Sequence, residues 1–554
     1  MANLTPEEAS LGHLLERRQQ LTDALASSPY DLILYLERAV VYSSLAYPDL
    51  AASDAYRALL LADEVRDEGF EYHEEAKEAL ASHADVRPCP AVLNHGGLVE
   101  DLLRLPAAAE GPSDDADKKE GEEEGRPRHE ALADLASVRS FQILSRSLLL
   151  VGCLRSALEF CERGLAQAPR DPELSETRAS IEQAARRRLG LRDDEPLEAQ
   201  DLPDRGAVRR EVYPWNAHEP DRFSDESLAF LNEQLAAVAP KLEAGGHPSG
   251  DGDGDGELLM CNQLGLFAKE AIAPGEVVLD EYSLLTANNR HKESACDACG
   301  TELSAAEAGR AVGCPECDDT IFCDDACLEA ALARYHPAVC DMDVDSIAKD
   351  PEAKDADESL YVLLLARLLA MAAHQEVHPL EVKEIKYIWG DFLPSPVARA
   401  DPTLPFTFTH TLQLPLHILE RMDVDVYATL ARHDQWVLNT CLAKFRGTAS
   451  ARKNPRDGRP DLAAVHPLWC LANHDCDPNV TWRWEGGRMV LKARETRVVS
   501  GEAGGLRAGD EVLNHYCDVD LPVRLRREWA SGSLGGLCMC ARCQREAKLE
   551  EEAR

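Results

Sequence analysis

The chain's cysteines fall into rows whose spacing is that of metal ligands. Between Cys296 and Cys340 run CDACG, CPEC, CDDAC and HPAVC. Cys296 with Cys299 and Cys314 with Cys317 form two C-x2-C knuckles. Cys323 with Cys327 and His336 with Cys340 stand four residues apart, which puts each pair on one face of a helix. Eight soft or borderline ligands make two closed tetrahedra, the arrangement of structural rather than catalytic zinc. A further row, LCMCARCQRE, holds Cys538, Cys540 and Cys543, one ligand short of a tetrahedron. Single cysteines are commonly small buried core residues. Cys476, in LANHDCDPNV, is nevertheless assigned as the missing fourth, because an incomplete site awaits it. A zinc ion there pins the C-terminal tail against Asn473 and His474 and closes a pocket between them.

A length of 554 residues predicts two to four domains, each with its own core. The 99 acidic against 59 basic residues give a formal charge of -40. That balance disfavours direct binding to a nucleic-acid backbone and favours basic partners, although a solubilising surface accounts equally well for most of the charges. The longest apolar run, YVLLLARLLAMAA, carries Arg367 and is too short to span a bilayer, so it reads as a buried helix and no membrane partner is expected. The start MANLTPEEAS lacks the basic and apolar regions of a secretory signal. A reducing compartment, cytoplasmic or nuclear, is therefore expected, where 18 cysteines point to metal rather than disulfides.

Residues 1–190 carry helical periodicity. Two segments there read as helical hairpins. Leu32 to Glu64 places Ala39, Ala51, Ala55 and Ala58 where helices pack closely, and SRSLLLVGCLRSALEFCERGLAQAPRDPEL has Gly152, Ala157, Cys161, Gly164 and Pro169 at offsets resembling a tetratricopeptide repeat. An ordinary helical bundle would show the same features. Between the copies, the acidic stretch near 107–128 buries too little apolar surface to order. Residues 191–257 read as an arm, REVYPWNAHEPDRFS, lying on another domain, followed by the flexible linker HPSGDGDGDGE, which lacks the calcium-loop pattern.

With these residues in view, the chain resembles the SET-domain lysine methyltransferases. NHDCDPN is similar to that family's signature, and LGLFAKEAIAPGEVVLDE to its opening strand. GDEVLNHYCD resembles the strand ending in its catalytic tyrosine, and CMCARC its post-SET zinc tail. The cysteine row of residues 296–340, set inside the domain, resembles a MYND finger, as in the SET-and-MYND subfamily. The whole layout is similar to the tetratricopeptide-containing SET proteins of fungi.

The resemblance implies an all-α repeat region followed by a mostly-β SET domain of α+β class. That domain divides into an N-terminal part at 258–295, the finger, a helical insertion at 341–435, a catalytic core at 436–520 and a zinc-bound tail at 521–554. It implies cross-braced pairing, with Cys296, Cys299, Cys323 and Cys327 on one ion and Cys314, Cys317, His336 and Cys340 on another. It implies that Asn473, His474 and Asn439 bind S-adenosylmethionine, that Gly265 lets the backbone approach it, and that the Tyr516 hydroxyl orients the amine. The sequence departs from the family at Gln263, where a second glycine is usual. It departs again at Gly536, in place of an adenine-stacking aromatic, and at Cys441, in place of a channel aromatic. The expected function is an S-adenosylmethionine-dependent protein lysine methyltransferase with three structural zinc ions. Its helical repeats would hold a partner, and its substrate would be a basic protein such as a histone tail. The alternative is a SET-fold scaffold without catalysis that binds peptides through its repeats and finger.

Overall fold

The computed structural model describes residues 6–84, 89–93, 128–246, 264–303, 309–317, 319–390, 392, 404–534 and 536–552. The acidic stretch read as disordered, the Gly-Asp linker and Gln263 lie outside or almost wholly outside these residues. The chain divides into two units. One comprises residues 1–209 with 401–413 and 425–435; the other comprises the rest.

In the first unit the helical periodicity becomes α1 (Pro6–Ser27), α2 (Leu32–Ser44), α3 (Pro48–Arg66), α4 (His73–Ala84), α5 (Arg128–Val151), α6 (Leu154–Gln167) and α7 (Pro172–Leu189). Local chemistry sets their ends. Asp31 caps α2 by accepting from the Ile33 and Leu34 amides, and Asp171 caps α7 through Leu174, with Pro172 in its first turn. The small residues do the packing expected of them. Ala51, Ala55, Ala58 and Ala62 bury a whole stripe of α3 against α2 and α5. At Gly164 an added Cβ would lie 2.8 Å from both Leu174 Cδ1 and Phe141 Cβ, so only glycine allows α6 this close to α5 and α7. A two-stranded antiparallel ribbon, β1 (Gly206–Val208) with β8 (Leu404–Phe406), completes the unit.

The segment 425–435 is fastened to the helices by buried charge. Arg38, fully buried on α2, donates from Nε and Nη2 to both carboxylate oxygens of Asp54 on α3, each at 2.7 Å, and from Nη1 to Asp434 at 3.0 Å. A guanidinium satisfied bidentately on one side and by a second carboxylate on the other offsets its desolvation.

The second unit holds the strands. β4 (Val277–Tyr282), β11 (Val480–Glu485) and β12 (Arg488–Ala493) form an antiparallel sheet in the order β11-β12-β4. β5 (Thr286–Asn288), β10 (Pro460–Ala464) and β9 (Ser450–Lys453) form a second in the order β5-β10-β9, and β2 (Leu242–Gly246) pairs with β3 (Leu264–Ala268). Leu266, Leu279, Val480, Met489, Leu491 and Val512 meet in one core, covered by α8 (Asp225–Val238). The cysteine row of residues 296–340 contains the short ribbon β6 (Val312–Gly313) with β7 (Ile321–Phe322) and then α9 (Asp325–Arg334). The run read as a buried helix is α10 (Ala356–His374), packed on β5 and β10. Its Arg367 reaches the cysteine row, donating to the Asp297 carboxylate at 3.0 Å and stacking 3.7 Å above the Tyr335 ring. Burial alone would raise the Asp297 carboxyl, but that guanidinium holds it below the ordinary carboxylate range.

Among the described residues no helix is long and apolar enough to cross a membrane. Removing one member of the Arg38 triad leaves an uncompensated buried charge, so Asp54→Ala should lower stability by about 3–5 kcal/mol. Urea unfolding followed on the helical signal will read this, and a change below about 1 kcal/mol would remove the triad from its assigned place.

Candidate functional site

Four backbone and side-chain elements converge on Asn473. A single turn of 3-10 helix, Trp469–Leu471, delivers the chain to Ala472 and Asn473. That turn is held from β4 by buried Glu281, whose carboxylate accepts from the Leu468 amide at 3.1 Å and the Trp469 amide at 2.8 Å. The Asn473 side chain then donates from Nδ2 to the Leu264 carbonyl on β3 at 3.0 Å and to Glu511 Oε1 at 2.8 Å. A Cβ at Gly265, beside Leu264, would stand 2.8 Å from Glu511 Oε1 and 3.2 Å from Asn473 Nδ2, so a side chain there would push on both of these groups.

Residues 511–517 cross this segment. The Asn514 amide donates to the Asn473 carbonyl at 2.7 Å, and the Asp475 amide donates to the Asn514 carbonyl at 2.8 Å. The crossing brings Tyr516 to His474. The Tyr516 amide donates to His474 Nδ1 at 3.0 Å, the two rings lie 5.2 Å apart, and the Tyr516 hydroxyl donates to the Ala472 carbonyl at 2.9 Å. Burial pushes the phenol above its ordinary range and the imidazole down to about 4, so both groups are neutral near pH 7. Gly265, Asn473, His474 and Tyr516, far apart in sequence, are thus one cluster. Asn439 stands on α12 (Gln435–Thr448), α11 being Leu414–Arg421, and its side-chain amide donates to the Tyr213 hydroxyl of the arm at 3.3 Å. The arm itself is ordered and sits on α12, where Glu219 pairs with the buried Lys444 at 3.1 Å.

The cysteines assemble into three groups, each with all ligand atoms within 4.8 Å of one another: Cys296, Cys299, Cys323 and Cys327; Cys314, Cys317, His336 and Cys340; and Cys476, Cys538, Cys540 and Cys543. Zinc–sulfur bonds of about 2.3 Å in a tetrahedron place sulfurs about 3.8 Å apart. Cys299 to Cys323 is 3.8 Å, Cys314 to Cys340 is 3.8 Å and Cys476 to Cys538 is 3.9 Å, while Cys323 to Cys327 at 3.5 Å and Cys476 to Cys543 at 3.4 Å are closer. Every described cysteine is free of disulfide. The Gly486-Gly487 turn of the β11-β12 hairpin presses on the first group, since a Cβ at Gly487 would lie 3.2 Å from Cys299 Cβ. In the tail, α13 (Val523–Leu534) supplies the fully buried Arg526, whose guanidinium donates to Cys543 Sγ at 3.6 Å, while Cys543 opens α14 (Ala541–Glu552).

Sequence reasoning passed over Glu281, Glu511, Asn514 and Cys517. Glu511, Asn514 and Cys517 lie in the same short stretch as Tyr516, so proximity to that tyrosine was the available signal. Cys517 is a further buried thiol beside the tail group, within 4.8 Å of Cys476 and His474.

Residues 263–517, which hold this cluster, the antiparallel sheets around it and the inserted cysteine row, match the SET domain family model. Over 82 residues the chain is 38% identical to Histone-lysine N-methyltransferase SET5 of the yeast Vanderwaltozyma polyspora, a stretch covering 15% of this chain and 15% of that protein.

Glu281 makes the loop sensitive to pH. Burial raises its carboxyl from 4.5 to about 7, against the two amides that lower it. The native state therefore holds a proton that the unfolded chain releases between those values. The stabilisation is complete below pH 4.5 and lost as pH rises through 7, by roughly 3 kcal/mol at most. Stability measured from pH 5 to 8 should fall less steeply in Glu281→Gln than in the wild type; parallel curves would show that Glu281 is ionised throughout.

Proposed function

We propose that this protein is an S-adenosylmethionine-dependent protein lysine N-methyltransferase. The observation that carries the reading is the crossing of residues 473–475 with 511–516, which sets Asn473, His474 and Tyr516 together over Gly265. The residues suit a cationic cofactor. Both named bonds of the Asn473 side chain leave through Nδ2, so Oδ1 remains to accept from an ammonium, and the Glu511 carboxylate adds negative charge beside it. Asn439 and His474 complete the proposed cofactor contacts. S-adenosylmethionine would supply an activated methyl group. The chain's own task is to hold the acceptor amine in line, exclude water and favour its neutral form; a lysine side chain has a pKa of about 10.4 in water, and apolar surroundings lower it. Tyr516 is the proposed orienting residue, its neutral hydroxyl at hydrogen-bonding distance from a backbone carbonyl.

Three structural zinc ions are proposed at the three cysteine groups, the first two forming a MYND finger and the third a post-SET tail clasp. The helical hairpins of the first unit are proposed as tetratricopeptide-like repeats holding a protein partner. The acidic composition, and a histone-lysine methyltransferase among the similar proteins, support a basic substrate such as a histone tail. The proposed setting is the cytoplasm or nucleus, and the acidic balance disfavours direct nucleic-acid contact. A scaffold without catalysis is the second reading. It is favoured by Gly536, around which a side chain would meet open space where the family stacks an aromatic, and by Cys441, buried in place of the channel aromatic.

Calorimetric titration with S-adenosylmethionine should give binding in the micromolar range, on the order of -8 kcal/mol, lost in Asn473→Ala. Absence of binding to folded, zinc-loaded protein would transfer the weight to the scaffold. Tyr516→Phe should keep cofactor binding and lose methyl transfer to a basic protein; an unchanged rate removes Tyr516 from its role. Metal analysis should return three zinc ions per chain, falling toward two in Cys476→Ser with a protease-sensitive tail.

A further inference from the structure

His474, Cys476 and Cys517 bring three ligand atoms within 4.8 Å and have the composition of a fourth metal site. The hydrogen bonding of His474 argues against that use. A backbone N–H can only donate, so the bond from the Tyr516 amide at 3.0 Å occupies the Nδ1 lone pair. A neutral ring with Nδ1 accepting carries its proton on Nε2, and a protonated nitrogen cannot ligate a metal. Nε2 lies 3.4 Å from Cys476 Sγ, so the remaining arrangement is an Nε2–H donating to that sulfur.

We infer that the His474 ring, besides the cofactor contact proposed for that residue, is a positioning group through which the metal of the tail clasp fixes the backbone of Tyr516. Resting on the proposed tail zinc, the inference follows from what a metal does to sulfur. Without an ion, Cys476 is a buried thiol and a weak acceptor; bound, it is a thiolate held at one position, and a thiolate accepts strongly. Metal loading therefore tightens the Nε2–H to sulfur bond, stops the ring from turning, and keeps Nδ1 aimed at the Tyr516 amide. The same ring is flanked by the pairing of His474 with Asn514, so its backbone is already fixed and only its side chain is left for the metal to orient. The tail clasp is thereby joined to the tyrosine through two hydrogen bonds, without the ion touching a substrate.

The test is nuclear magnetic resonance of the full chain labelled with nitrogen-15 histidine and loaded with cadmium-113, the His474 signals being assigned by their loss in His474→Gln. The expected result is an Nε2–H tautomer whose Hε2 is split by the cadmium resonance of the tail clasp, with the splitting absent when spin-free cadmium is used. An Nδ1–H tautomer, a doubly protonated ring, an unsplit Hε2, or a large splitting of Nε2 itself overturns the inference. Failure of the tail to take up cadmium overturns the tail zinc and the inference together. An intact His474 signature in a protein without methyl transfer would leave the inference standing and remove only the enzyme reading.

Discussion

The architecture of the site depends on one constraint: two chain segments must cross at bonding distance with both backbones satisfied. Residues 473–475 and 511–516 exchange amide and carbonyl bonds at the half-buried Asn473 and Asp475 and the fully buried Asn514. Buried backbone groups have to be paired, and here the pairing itself sets the geometry, because the side chains of Asn473, His474 and Tyr516 project from the crossing. The surrounding polar residues serve that crossing. Glu281 fixes the turn entering it, Glu511 and the Leu264 carbonyl fix the Asn473 amide, and Asn479 donates to the Glu511 carbonyl at 2.7 Å while accepting from the Leu513 amide at 2.8 Å.

How much of this was legible in the sequence follows from the kind of constraint involved. Zinc geometry demands ligands in knuckles and helical pairs, so the eight residues from Cys296 to His336 and Cys340 announced themselves by spacing, and Cys476 by the deficit of the tail row. The grouping into pairs of pairs came from resemblance and is the grouping the structure assembles. Small residues at Gly164 and along α3 were readable as close helix packing for the same reason, a periodic pattern with one physical meaning. Glu281 and Glu511 were not, since a single acidic residue in or beside a strand has the same appearance whether it faces water or two buried amides. The partner that decides the matter lies 187 residues from Glu281 and 38 from Glu511. Asn439 was legible only through the resemblance, because an asparagine inside a helix has no spacing of its own that marks it; its side chain donates to the Tyr213 hydroxyl of the arm.

Buried cations recur as fasteners in this acidic chain. Arg38 ties two carboxylates in the helical unit, Arg367 joins α10 to the cysteine row at Asp297, and Arg526 sits among the tail sulfurs. Lys444 is held by the carbonyls of Ile385, Lys386 and Ile388 together with Glu219. Among the described residues few carboxylates are buried, and these buried basic groups use their hydrogen-bonding capacity to join segments that no sheet or helix connects.

The division of the helical unit among three stretches of chain bears on how the protein is made. Its last pieces, 401–413 and 425–435, are synthesised after most of the second unit, and Asp434 belongs to the buried triad with Arg38 and Asp54. Domains usually complete in the order in which they leave the ribosome. Here the N-terminal helices must instead wait, with Arg38 short of its second carboxylate, until the segment 425–435 has emerged. Helices translated early are thus among the last parts to close.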